Sequence, residues 1–229
     1  MAIGLAQAGA NVVVNGSTEP GIEEVCRAVA DCGVKAVRAV ADVADPRAGE
    51  ELVALTVREL GSIDILINNA GIIRRAPAAE YSAADWARVM EINLNAVFRL
   101  SQLAGRSMLQ QGSGKIVNVA SLLSFQGGIL VPAYAASKGA VAQLTKALAN
   151  EWAARGVNVN AIAPGYMETD NTRALRADPV RNRQILERIP AARWGRPDDV
   201  AAAAVFLASP ASDYIHGHVL VVDGGWMAR

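Results

Sequence analysis

Six short runs rich in β-branched residues alternate with longer stretches of helical periodicity, and this alternation restricts the fold more than any other feature. The runs are residues 11–15, 34–40, 63–67, 115–119, 157–162 and 218–222. Between them, helical patterns span 19–31, 46–60, 82–111 (one long or broken stretch), 132–154 and 198–208. Two parallel strands cannot be joined by a tight turn, so each crossover needs a dozen or more residues. Val- and Ile-rich strands spaced by helices therefore predict a parallel sheet covered on both faces. The expected fold class is α/β, a Rossmann-like doubly wound parallel sheet. Ligands of such sheets bind beyond the carboxyl ends of the strands. Polar residues just after strands are the ones to read for function.

The start of the chain is out of phase with this pattern. Residues 1–8 read as a helix stopped by Gly9, with no strand before it. A doubly wound sheet begins with a strand, so its first strand and the turn after it are expected to be lacking. The expected organisation is one domain over residues 1–229, incomplete at its N-terminus.

Composition excludes several function classes. The 22 basic and 22 acidic residues balance to zero, which argues against an electrostatic nucleic-acid binder. With 52% hydrophobic residues the chain can build a core, yet no apolar run approaches the ~20 residues of a membrane span. The only two cysteines, Cys26 and Cys32, cannot make a disulfide framework, which points to a cytoplasmic location. His216 and His218 lack a third ligand, so no metal site is expected.

Tyr134 and Lys138 are the strongest candidates for chemistry. Their i, i+4 spacing puts both side chains on one face of the predicted helix. A phenol titrates near 10, too high for an efficient base at neutral pH, and a neighbouring ammonium favours the phenolate. Taken alone, the pair also fits a buried tyrosine beside a surface lysine. The surroundings favour catalysis. Ser121 follows the strand 115–119, Asn68-Asn69-Ala70-Gly71 follows 63–67, Asn93 lies in the next helical stretch, and Pro164-Gly165 follows 157–162.

In this combination the sequence resembles the short-chain dehydrogenase/reductase family. The matching elements are Asp42, Asn68-Asn69-Ala70-Gly71, Asn93, Ser121, Tyr134-x-x-x-Lys138, Pro164-Gly165 with Thr169, and Asp223-Gly224-Gly225. The resemblance implies that Tyr134 is the general acid/base. Lys138 lowers its pKa and holds the nicotinamide ribose. Ser121 binds the substrate oxygen, and Asn93 supports a proton relay through water to Lys138. It also implies that Asp42 and Val43 flank the adenine, that Asn69, Ala70 and Gly71 border the cofactor, and that Pro164, Gly165 and Thr169 approach the nicotinamide. The family's Gly-rich phosphate-binding turn has no counterpart here. An active oxidoreductase and a catalytically silent subunit are therefore both open readings.

Further segments resemble the family's sugar-acid dehydrogenases: residues 68–75, 124–128, 164–167, 188–190, 193–195 and 223–229. Dehydrogenation of a gluconate and reduction of a 3-oxoacyl group are alternative activities. Arg74 and Arg75 are candidates to pair with a substrate carboxylate in bidentate geometry, with Arg173 a third; each can equally be a solvated surface arginine. Gln126 is a further candidate substrate contact. The cofactor expected is NAD, because residues 15–19 contain no arginine for a 2′-phosphate; NADP is the alternative. The family's habit implies a homotetramer.

Overall fold

The computed structural model describes residues 1–229. In chain order the elements are α1 (Ala2–Gln7), β1 (Val12–Gly16), α2 (Glu19–Ala30), β2 (Ala36–Val40), α3 (Ala48–Leu60), β3 (Ile65–Asn68), α4 (Ala83–Met90), α5 (Ala96–Gln111), β4 (Gly114–Val119), α6 (Pro132–Trp152), β5 (Val157–Pro164), α7 (Arg173–Ala177), α8 (Pro179–Arg188), α9 (Pro197–Ala208) and β6 (Val219–Val222). Every strand pair is parallel.

Local chemistry explains most boundaries. α2 carries a proline in its first turn, where the missing N–H costs nothing, and buries Ile22, Cys26 and Val29 along one stripe. Gly112, at φ 72°, ends α5 in the left-handed conformation that an L side chain resists. The expected helix over 82–111 is broken: residues Glu91–Asn95 form a π-helical turn between α4 and α5. α7 and α8 were not expected. Asp178 caps α8, accepting hydrogen bonds from the N–H groups of Val180 (2.9 Å) and Arg181 (3.1 Å).

Helices cover both faces of the sheet. On one face α5 and α6 bury Ala104, Met108, Leu148 and Trp152 against Ile116, Val157 and Val159. On the other, α9 packs Val200, Ala204 and Leu207 against Val117 and Ile162. β5 is buried over seven of its eight residues, as a central parallel strand should be.

The sheet is interrupted. One half has the order β1-β2 and the other β3-β4-β5-β6. Parallel pairing uses alternate residues on each edge. The Val12 N–H donates to Lys35 and the Gly16 carbonyl accepts from Ala41, so Val13 and Asn15 turn their main-chain groups away from β2. The Asp64 carbonyl accepts from Lys115, so Ile65 and Ile67 face away from β4. Helices nevertheless bridge the halves: α1 contacts α2 and β1 on one side and α9 on the other, and α3 packs on α5.

Candidate active site

β4 delivers Ser121 two residues beyond its last member, Val119. Ser121 caps a 3₁₀ turn at Leu122–Ser124, its Oγ accepting from the Leu123 N–H at 3.2 Å. α6 starts at Pro132, which places Tyr134 in its first turn and Lys138 one turn later on the same face. The Ser121 hydroxyl stands close enough to the Tyr134 phenol to favour its ionised form. The Lys138 ammonium lies 5.7 Å from the centroid of the Tyr134 ring.

Lys138 is 3% exposed and has no carboxylate partner. Its Nζ donates to the Val119 carbonyl at 2.6 Å. Burial lowers its pKa from 10.5 to about 8. An unpaired buried ammonium is costly, so its retention marks a site. It also carries a stability signature. Between pH 8 and 10.5 the unfolded chain binds this proton and the folded chain does not, so rising pH favours the fold. Lys138→Met should be more stable than the parent at pH 7, by up to about 3 kcal/mol, with the difference shrinking towards pH 10.5. Denaturant unfolding of both chains across that range checks this; a difference independent of pH would refute it.

Tyr134 is partly buried, and its burial pushes the phenol above the usual value. The Ser121 hydrogen bond and the Arg75 charge pull the other way. The Lys138 ammonium, meanwhile, is engaged with the Val119 carbonyl.

Asn93 is fully buried in the π-helical turn. Both amide donors are committed, to the Ile72 carbonyl (3.0 Å) and the Ser137 hydroxyl (3.2 Å), and its Oδ1 accepts from the Ile72 N–H at 2.8 Å. The side chain thus braces the loop after β3 against α6. That loop holds Asn69, Ala70 and Gly71. A Cβ on Gly71 would stand 3.4 Å from Asn93 Oδ1 and 3.6 Å from Lys138 Nζ, which puts this turn in contact with both side chains. Sequence reading missed a second brace. Asn68 donates to Asn118 (2.8 Å), and Asn118 donates to Thr145 on α6 (3.0 Å), tying β3, β4 and α6 together; side chains from three separate elements leave no local spacing to find.

The remaining candidates divide. Gly165 follows β5, where its N–H donates to Val222 and a Cβ would meet Asp223 at 2.7 Å. Pro164 ends β5, and the exposed Thr169 caps the short turn that follows. Asp42 follows β2 and is half-exposed; Arg88, 2.7 Å away, holds its carboxyl below the usual range. The Val43 carbonyl accepts from Arg99 at 3.0 Å. Gln126 is half-buried in the segment between the 3₁₀ turn and α6.

The two adjacent arginines are not equivalent. Arg74 pairs with Asp85 at 3.4 Å, and Tyr81 donates to its carbonyl. Arg75 is exposed, makes no ion pair, and directs its charge at Tyr134. Arg173 is occupied by Asp170. Near the end of β1, Asn15 spends its amide on the Ala39 and Ala41 carbonyls, and β2 brings Arg38 to 3.9 Å from Glu19. A cation therefore stands beside residues 17–19 although none occurs within that stretch.

A family model described as Enoyl-(Acyl carrier protein) reductase matches residues 1–227. The chain belongs to the short-chain dehydrogenase/reductase family. It is 53% identical over 230 residues to a 2-dehydro-3-deoxy-D-gluconate 5-dehydrogenase of Dickeya dadantii, covering 100% of this chain and 90% of that one. It is similar to the solved structure of a protein described as a 2-deoxy-D-gluconate 3-dehydrogenase of Agrobacterium tumefaciens, with bound NADP. That match has a TM-score of 0.89 and 55% identity, over 100% of this chain and 90% of that one. A gluconate 5-dehydrogenase of Burkholderia cenocepacia, solved with NADP and tartrate, matches with a TM-score of 0.94 and 42% identity, over 100% and 89%. The short-chain dehydrogenase fold thus places Ser121, Tyr134 and Lys138 at the mouth of β4, with the β3 loop braced beside them. No helix is long and apolar enough to cross a membrane.

Proposed function

We propose that the chain is an NAD(P)-dependent oxidoreductase acting on a secondary alcohol or ketone of a sugar acid, of the 2-dehydro-3-deoxy-D-gluconate type. The convergence of Ser121, Tyr134 and the buried, carboxylate-free Lys138 carries this reading. The nicotinamide cofactor supplies hydride exchange at the substrate carbon. The residues present fit it at the nicotinamide end: the buried Lys138 ammonium, free of any carboxylate partner, suits ribose hydroxyls, and the Gly71 turn stands beside it. Pro164, Gly165 and Thr169 would border the ring, and Asp42 and Val43 the adenine.

In oxidation, Tyr134 takes the hydroxyl proton as the carbonyl forms; in reduction it returns that proton to the oxygen. Ser121 donates a hydrogen bond to the same oxygen and stabilises its developing charge. Lys138, positively charged near neutral pH, favours the phenolate. Asn93 fixes the loop that borders the cofactor.

Arg75 would bind the substrate carboxylate, because it is the arginine of the pair without an acidic partner. Arg75→Ala should raise KM for the sugar acid about tenfold and leave KM for the neutral alcohol analogue unchanged. Arg74→Ala should change neither by more than about twofold. Equal effects of the two substitutions would remove Arg75 from this role.

The bound NADP of the two similar solved structures supports acceptance of NADP as well as NAD. Further parts of the reading are one domain over residues 1–229, a homotetramer, and a cytoplasmic location. The exposed Trp86 and Phe98 on α4 and α5 support subunit packing, and the two free cysteines support a reducing compartment. Thermal shift with NAD and NADP, followed by turnover of 2-dehydro-3-deoxy-D-gluconate, tests the function; no turnover of any sugar acid by a cofactor-loaded chain would overturn it.

A further inference from the structure

Ser124 stands outside every role described above, yet its hydroxyl joins the two segments that make up the reacting site. Its Oγ accepts from the Ser121 N–H at 3.3 Å and donates to the Lys138 carbonyl at 2.6 Å. The first contact lies within the 3₁₀ turn and is ordinary capping. The second leaves the turn and reaches α6, fourteen residues along the chain. From the same stretch, the Val119 carbonyl accepts from Lys138 Nζ, also at 2.6 Å. Residues 119–124 therefore grip Lys138 at both ends, the main chain through Ser124 and the ammonium through Val119. Ser121 and Tyr134 must meet across this same junction.

We propose that Ser124 is a positioning residue that sets the Ser121 hydroxyl against Tyr134 by clamping the turn after β4 to the Lys138 main chain. The junction needs such a clamp because its continuation is loose. From Phe125 the chain crosses to α6 through exposed residues, among them Ile129 at 89% exposure, and through Leu130 in the left-handed region at φ 65°. The Phe125 and Gln126 N–H groups return to the Leu122 carbonyl at 2.9 and 3.2 Å, and beyond them the Ala76 N–H to Leu130 carbonyl bond at 3.0 Å ties the crossing to the Arg75 loop. Without the Ser124 hydroxyl, the Ser121 N–H loses its partner and the turn loses its hydrogen bond to the α6 main chain. A shift of about 1 Å at a reacting group can cost up to about a hundredfold in rate.

This proposal rests on the oxidoreductase reading for its kinetic consequence, but its structural consequence can be read without turnover. Ser124→Ala should move the Tyr134 phenol titration upward, because the Ser121 hydrogen bond that favours the phenolate is weakened. The signal is the ultraviolet difference between each chain and its Tyr134→Phe counterpart, which removes the other three tyrosines. Ser124→Thr retains the hydroxyl and should restore the parent midpoint, while Ser124→Cys, of similar volume but a poor hydrogen-bond partner, should follow the alanine variant. In turnover, Ser124→Ala should lower kcat about tenfold and change KM for the sugar acid less than twofold. A parent-like phenol midpoint in the folded alanine and cysteine variants would overturn the proposal. Absence of turnover in the parent would count against the oxidoreductase reading alone, and the titration would still decide the role of Ser124.

Discussion

Tyr134→Phe is expected to abolish turnover, by about four orders of magnitude, while leaving cofactor affinity within about twofold. On the proposed reading, the phenol is the group that exchanges a proton with the substrate oxygen, beside Ser121. General acid/base catalysis contributes about 10²–10⁴-fold, and here no second acid stands ready. The other titratable neighbour, Lys138, directs its ammonium at the Val119 carbonyl and is held there by α6. Phenylalanine keeps the ring under the Lys138 cation, so packing in the first turn of α6 is preserved. Single-turnover kinetics with a titration of NADP binding checks both halves. Residual activity above about a hundredth of the parent would remove Tyr134 from the acid/base role.

The second large effect is expected at the interruption of the sheet. Val13 and Asn15 on β1, and Ile65 and the Ile67 N–H on β3, offer main-chain groups with the spacing and direction of parallel pairing, while the Ile67 carbonyl accepts from Asn69. Helices already span this region on both faces. An apolar strand supplied there would bury side chains against α1 and α9 on one side and α3 and α5 on the other. Five buried apolar residues are worth about 1.5–3 kcal/mol each, against about 1.5 kcal/mol each for ordering them. Ladder hydrogen bonds add about 1 kcal/mol apiece. The surplus is several kcal/mol, or about 10 °C in Tm for a chain of this size. Fusing a β-branched five-residue strand and a Gly-rich turn ahead of α1 should produce that rise. It should also tighten NADP binding at least tenfold, because backbone N–H groups at a helix start then face the pyrophosphate. An unchanged Tm and an unchanged Kd would show that nothing fits between β1 and β3.

Much of the site was legible because its logic is local. The i, i+4 spacing of Tyr134 and Lys138 fixes their common face as soon as the helix forms, and Pro132 announces where that helix starts. The residues following β3, β4 and β5 were legible for a related reason: a parallel sheet sends every carboxyl end to one edge. The π-helical turn at Asn93 was not, since its distinguishing feature is one extra residue in a hydrogen-bonded ring, which leaves hydrophobic periodicity almost untouched. α7 and α8 were missed because their exposed faces are rich in charged and polar residues, and only Ile185 is fully buried in α8.

The sequence alone determined the alternating parallel architecture, the common helical face of Tyr134 and Lys138 and the family's order of motifs, since each depends on neighbours within a turn or a strand. Tertiary structure alone separates Arg74, paired with an acid, from Arg75, because the difference is Asp85 arriving from α4. It also decided that Asn93 spends its amide as a brace, that Arg38 on β2 stands beside Glu19, and that Ser124 reaches α6. Each of these depends on which group occupies the remaining hydrogen-bonding or charged position in space. That is set by the packing of separate elements, and no spacing along the chain encodes it.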